Sequence, residues 1–260
     1  MALTYADYLK LSELLELQEP RSEPAEHDEM LFIVIHQVYE LWFKLLLHES
    51  DKAKHDLSAG ALFAAIATFK RMRTVLKTLV GQLDILETMT PLSFASFRDR
   101  LETASGFQSV QFRELEFVFG YKRPGRLEPE ESRLPGAEGL ARRLRESSVV
   151  DCFYRLLEHR GLEIPWELEE KDVTLPTQPS EVLQEQLFRA YSEQPDLVIL
   201  CELMMDFDEG FQEWRYRHVK LVERTIGAKR GTGGSPGVEF LKQSLFKPLF
   251  PDLWAVRHRM

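Results

Sequence analysis

The chain has little cysteine, little positive charge and no long apolar run. Among 260 residues there are two cysteines, Cys152 and Cys201. That is too few for a disulfide scaffold and points to a reducing, cytoplasmic setting. No stretch of about 18 uncharged apolar residues occurs, so no membrane span is expected. The opening residues, with Asp7 and Lys10, do not read as a secretory leader. Lys and Arg number 33 against 42 Asp and Glu, a net charge of −9. A nucleic-acid binder needs a dominant basic face to meet phosphates, so that class is excluded. Hydrophobic residues make up 44 %, enough to build a core.

The usual metal and nucleophile patterns are missing as well. None of the seven histidines follows a glutamate by three residues, which excludes the Glu-x-x-His pattern of di-iron bundles. His48-Glu49 has no second histidine at the spacing of a zinc-protease helix. The cysteines have no near partner for a zinc finger. Residues Gly233, Ser235 and Gly237 match the Gly-x-Ser-x-Gly nucleophile spacing. The residue after the serine is Pro236, which has no N–H to give an oxyanion hole, and no strand precedes it. The same cluster lacks the Lys-Ser/Thr of a P-loop and the third glycine of a dinucleotide fingerprint.

What is present is helical periodicity. Four long helices are expected near 28–58, 61–88, 137–160 and 195–226, with Gly60 closing the first. Shorter helices are expected at 4–17, 92–102, 109–118, 180–192, 238–246 and 251–258. Residues 120–137, with three prolines, three glycines and many charges, read as an exposed loop. No strand-like alternation and no fixed repeat occur. The fold class is all-α, a bundle of long helices forming one domain over residues 1–260.

Four features could carry chemistry. His218 lies in the stripe Phe207, Phe211, Trp214, His218, Leu221, on one helix face. A histidine there is either a haem ligand in an apolar pocket or a core residue with a hydrogen-bonded ring. His36 lies in a similar stripe, Phe32, His36, Tyr39, Phe43, with the same two readings. Arg98, in Phe94-Ala95-Ser96-Phe97-Arg98, either grips a carboxylate through a bidentate pair or reaches solvent past its own stem. Four of the 14 glycines fall within 231–237, as a loop closing on a small ligand or as a hinge.

Several segments, in order, resemble the tryptophan 2,3-dioxygenase family: Thr4-Tyr5-Ala6-Asp7-Tyr8-Leu9, Glu26 to Ile33, His36-Gln37, Glu40 to Lys44, Phe97-Arg98, Ala104 to Ser109, Trp214-Arg215 with His218, and Gly231 to Ser235. The resemblance runs over nearly the whole chain. It implies a helical bundle around a non-covalent haem b, with His218 as the axial ligand to iron and Trp214, Gly231 and Gly233 beside the cofactor. His36 would be the catalytic distal residue, bonded to the indole N–H. Phe32, Phe94 and Phe97 would line the indole pocket, and Arg98 would hold the substrate carboxylate. Thr232 would contact the amino-acid end, and Ser105 would face the distal side. Tyr5, Tyr8 and Leu9 would enter a neighbouring subunit's pocket, implying a homotetramer. The implied partners are L-tryptophan or a substituted tryptophan and O₂. The implied reaction cleaves the indole C2–C3 bond to N-formylkynurenine. Pro236 and Phe94 depart from the serine and tyrosine of some relatives. Two other outcomes stay open: a monooxygenase of the same family making an oxindole, and a non-catalytic haem or O₂-binding helical module.

Overall fold

The computed structural model describes residues 2–123, 136–232 and 237–260. Among the described residues the secondary structure is helical throughout, with no strand. Thr4 caps α1 (Tyr5–Leu9), its hydroxyl accepting from the Asp7 N–H at 3.2 Å. Lys10, at φ 53°, ends α1 and opens α2 (Leu11–Leu14), so the expected helix 4–17 is two short pieces. Neither buries a residue.

Three long helices form the frame. α3 (His27–Ser58) turns the stripe Ile35, Tyr39, Phe43, Leu46, Leu57 inward, and α4 (Leu62–Leu86) answers with Ala65, Phe69, Met72, Leu76, Leu79 and Leu83. This three- and four-residue spacing is what buries one face of each helix. Gly60, at φ +70°, makes the turn between them, and a Cβ there would come 3.2 Å from the His159 ring. The Tyr39 hydroxyl donates to the Leu79 carbonyl at 2.8 Å and pins α3 to α4.

α5 (Pro91–Arg98) starts with proline in its first turn and runs into a 3₁₀ turn, Asp99–Leu101. α6 (Val110–Val118) follows. The expected helix 137–160 is instead α7 (Ala137–Arg145) and α8 (Val149–His159). Ser148 breaks it: its hydroxyl accepts from the Asp151 N–H, and the Asp151 carboxylate accepts from the Ser148 N–H at 2.6 Å. That capping box makes a second helix start stronger than continuation. The frame therefore has three long helices, not four.

The expected loop over 120–137 begins inside the protein. Lys122 is buried, donating to the carbonyls of Leu144 and Glu146, and only 124–135 lie outside the described residues. α9 (Trp166–Glu169) and α10 (Glu181–Glu193) lead to α11 (Pro195–Ile226), the other long helix. α11 packs most closely on α4, where Gly210 lets Leu76 approach to 3.2 Å of a built Cβ. α12 (Val238–Lys242) and α13 (Pro251–Ala255) close the chain. Asp208, fully buried on α11, accepts from the N–H groups of Leu249, Phe250 and the Trp254 ring, which fastens the C-terminal segment.

By length and composition α3 could cross a bilayer, although Glu40 and Lys44 interrupt its apolar run, so no uncharged apolar stretch of about 18 residues occurs in it. In the fold it packs on α4, α6 and α8, while Met30, Val34 and Leu41 stay exposed on its outer side.

Candidate haem and substrate cavity

One end of the frame is not filled. A cavity of about 410 Å³ opens between the N-terminal half of α3, the end of α4, α5, α6 and the C-terminal half of α11. Each helix contributes by its own register. On α3, Phe32, His36, Tyr39, Glu40 and Phe43 line it, one turn apart. On α11, Trp214, Arg215, His218, Leu221, Val222 and Thr225 line it.

The two histidines therefore reach the same space from opposite helices. His218 is held flat against Trp214, ring centroids 5.0 Å apart at 14°, and Trp214 in turn rests on Phe112 at 4.8 Å. Among the described residues neither ring nitrogen of His218 has a hydrogen-bond partner. Burial pushes its pKa down to about 4, with the nearby His36 adding to the effect, so the ring is neutral at pH 7. A neutral, unpartnered imidazole facing an apolar cavity departs from the hydrogen-bonded core histidine that was the alternative.

His36 is also held below its ordinary pKa, first by burial, against the opposing pull of its bond to Phe32 and of Glu40. Its Nδ1 lies 2.7 Å from the Phe32 carbonyl oxygen. A carbonyl only accepts, so Nδ1 carries the proton and Nε2 is left as an acceptor.

Arg98 lines the cavity, and its guanidinium donates to the Arg230 carbonyl at 2.6 Å. The Thr232 hydroxyl donates to the Ala104 carbonyl at 2.5 Å. These two bonds strap the segment after α11 across the cavity mouth, beside Ser105 and Gly231. Phe94 and Phe32 border the space, 5.7 Å apart. Phe97 does not. It is fully buried behind them, 5.5 Å from Phe94 and 5.6 Å from Phe32, because it faces α3 rather than the opening. Tyr5 and Tyr8 are exposed on α1, and Leu9 is 40 % exposed; none reaches this chain's cavity. Gly233 lies outside the described residues.

Sequence reasoning missed part of the lining: Phe112, Arg113 and Glu116 from α6, Tyr121, Arg123, and Arg215. Arg215 had a local signal, sitting three residues before His218 on the same helix. The α6 residues had none beyond helical spacing. Four arginines (98, 113, 123, 215) against two glutamates (40, 116) line the cavity among the described residues, in a chain whose net charge is −9.

The profile of the family described as Tryptophan 2,3-dioxygenase matches residues 1–133 and 181–260. The chain belongs to the tryptophan 2,3-dioxygenase family. It is 55 % identical to a tryptophan 2,3-dioxygenase of Herpetosiphon aurantiacus over 256 residues, 98 % of each chain. It is 51 % identical to one of Anaeromyxobacter dehalogenans, over 98 % of this chain and 96 % of that one. A Pseudomonas fluorescens tryptophan 2,3-dioxygenase is 40 % identical, over 98 % and 90 %. The stretch the profile leaves out, 134–180, holds α7, α8 and α9, which lie outside the family profile but not outside these relatives.

The donor set fits a haem. No group of three His, Cys, Asp or Glu side chains that could hold a bare metal ion occurs among the described residues. A porphyrin brings its own four equatorial nitrogens and asks the protein for one axial donor in an apolar pocket. The His218 ring beside Trp214, Leu221 and Val222 could serve as such a donor.

Proposed function

We propose that the chain is a haem-dependent dioxygenase that opens the indole ring of L-tryptophan with O₂, giving N-formylkynurenine. The observation that carries this is the pairing of two neutral histidines across one cavity: His218 with no other partner, and His36 with its acceptor nitrogen free. Residues 1–260 act as one oxygenase domain in this reading.

Bound haem b, held by His218 and flanked by Trp214 and Gly231, would supply the activation of O₂. The chain's own residues would do the rest. His36 Nε2 accepts the indole N–H, which fixes the ring's orientation. Phe32 and Phe94 give the indole an apolar wall, with Phe97 supporting both from behind. Arg98 takes the carboxylate, and Thr232 lies at the same end for the amino-acid group. Ser105 stands at the cavity mouth. Holding both charged ends leaves the ring in one position, which converts an encounter into a fixed geometry. Both atoms of one O₂ enter the product, so no external reductant is consumed.

The active form would be a homotetramer. α1 buries nothing in its own chain and exposes Tyr5, Tyr8 and Leu9, while Met30, Val34 and Leu41 form an apolar strip on α3. Both faces would be covered by further copies of the chain. A cytoplasmic location agrees with two free, buried cysteines.

The test is product mass. The purified ferrous protein, given L-tryptophan and ¹⁸O₂, should form N-formylkynurenine carrying two labelled oxygens. A product carrying one labelled oxygen, or none formed at all, would overturn the proposal.

A further inference from the structure

Among the described residues, four arginines (98, 113, 123 and 215) and two glutamates (40 and 116) face the cavity. Arg98 is the member at the strapped mouth, beside Thr232. Farther along, a separate group stands on α6, α11 and the segment after α6.

Its centre is Glu116, 3 % exposed. One oxygen accepts from Arg215 Nη2 at 2.8 Å, and the other accepts from Arg123 Nη2. Arg215, also 3 % exposed, is a fixed cation, since it donates Nη1 to the carbonyls of Lys247 and Ser244 as well. The Tyr121 ring sits between the two guanidinium groups, 4.8 Å from Arg123 and 5.1 Å from Arg215. One carboxylate between two arginines leaves one net positive charge. A structural ion pair would have been neutral, and an uncompensated charge at a desolvated wall is costly without a counter-ion.

Arg123 is the member within reach of a ligand. Its side chain keeps 24 % of its surface accessible, and among the described residues Glu116 is its one hydrogen-bond partner, through Nη2. Its Nη1 is left over, in a planar fork suited to a carboxylate.

We propose that Arg123, held by Glu116 against Arg215 and Tyr121, receives a propionate carboxylate of the haem. The proposal rests on the haem reading above. It gives the two carboxylates separate partners: the substrate's at Arg98 and the macrocycle's at Arg123.

The test compares haemin with its dimethyl ester, which has the same ring and iron but no carboxylates. Apo-protein is titrated with each, and binding is read from the Soret band. The wild type should prefer haemin by about tenfold or more, the range for a charge-assisted pair. Arg123→Gln should lose most of that preference by weakening haemin while leaving ester affinity unchanged, and Arg123→Lys should recover part of it. Equal weakening of both ligands, or of neither, would overturn the assignment. A wild type that binds neither macrocycle would sink the haem reading itself, a different result. Should Arg123→Gln fail to fold, the wild type alone decides. Haemin dissociation should speed up with salt while ester dissociation does not; equal salt dependence would refute the proposal.

Discussion

Arg98 offers the sharpest perturbation of substrate binding. Its guanidinium is half-buried and gives one hydrogen bond to the Arg230 carbonyl, so the remaining N–H groups are available to a carboxylate. Charge-assisted hydrogen bonds contribute about 1.5–3 kcal/mol each. Discounting a bidentate pair for partial solvent access leaves about 3 kcal/mol, or roughly a hundredfold in affinity. Arg98→Ala should therefore weaken L-tryptophan binding roughly a hundredfold, read from the tryptophan-induced shift of the Soret band. The same substitution also removes the strap to Arg230, an exposed bond that solvent screening discounts to about 1 kcal/mol. Tryptamine separates the two effects, because it keeps the indole and the amine but has no carboxylate. Its inhibition constant should change less than about fivefold, the size of the strap alone. If tryptophan and tryptamine weaken equally, Arg98 acts by holding the segment after α11 closed, and the carboxylate assignment is wrong.

Further outcomes follow from burial. His36 has its folded-state pKa lowered below 6.5 by desolvation, and substrate needs its neutral form. Tryptophan affinity should then be flat above pH 6.5 and fall only well below it, while the stability held in the neutral ring is likewise present above 6.5 and lost as pH falls through the folded pKa. An affinity titration with its midpoint at or above 6.5, absent in His36→Gln, would contradict this. Phe97→Ala removes a fully buried ring and should cost about 3–5 kcal/mol, lowering the melting temperature on the order of 10 °C. Phe32→Ala, at the cavity wall, should raise the KM for tryptophan more and the melting temperature loss less. Phe97→Ala with an unchanged melting temperature would mean the ring is not in the core.

The helices were legible wherever one residue class recurred at helical spacing over several turns. α3 and α11 carry such stripes along their whole length, and their expected bounds, 28–58 and 195–226, lie within one residue of those observed. The helix expected over 137–160 failed for a local reason. Its apolar spacing continues across the break, but Ser148 and Asp151 satisfy each other's backbone N–H and start a new helix. The expected helix 4–17 failed at Lys10, whose left-handed backbone has no composition signal. The loop expected from 120 onward was read from charge and proline content, which cannot show that Lys122 finds two carbonyl acceptors at the end of α7. Buried lysines are rare because they need such partners, and those partners lie more than twenty residues away in sequence.

The site divides along the same line. Each histidine sat in a visible stripe, and the stripes converge because α3 and α11 both pack on α4 and leave their ends apart. The cavity's charge was hidden. Arg98, Arg113, Arg123 and Arg215 come from α5, α6, the segment after α6 and α11, with no spacing that links them, and the net charge of −9 points the other way. A chain-wide excess of carboxylates keeps the surface negative, while the few arginines turned inward set the sign that a bound anion meets. The distinction has a physical consequence: screening by salt weakens the outer field over about 10 Å at 0.1 M, but acts far less on guanidinium groups enclosed with their ligand. Binding at Arg98 should therefore keep more of its strength in salt than charge pairing on the outer faces of the helices, such as Lys220 with Glu223.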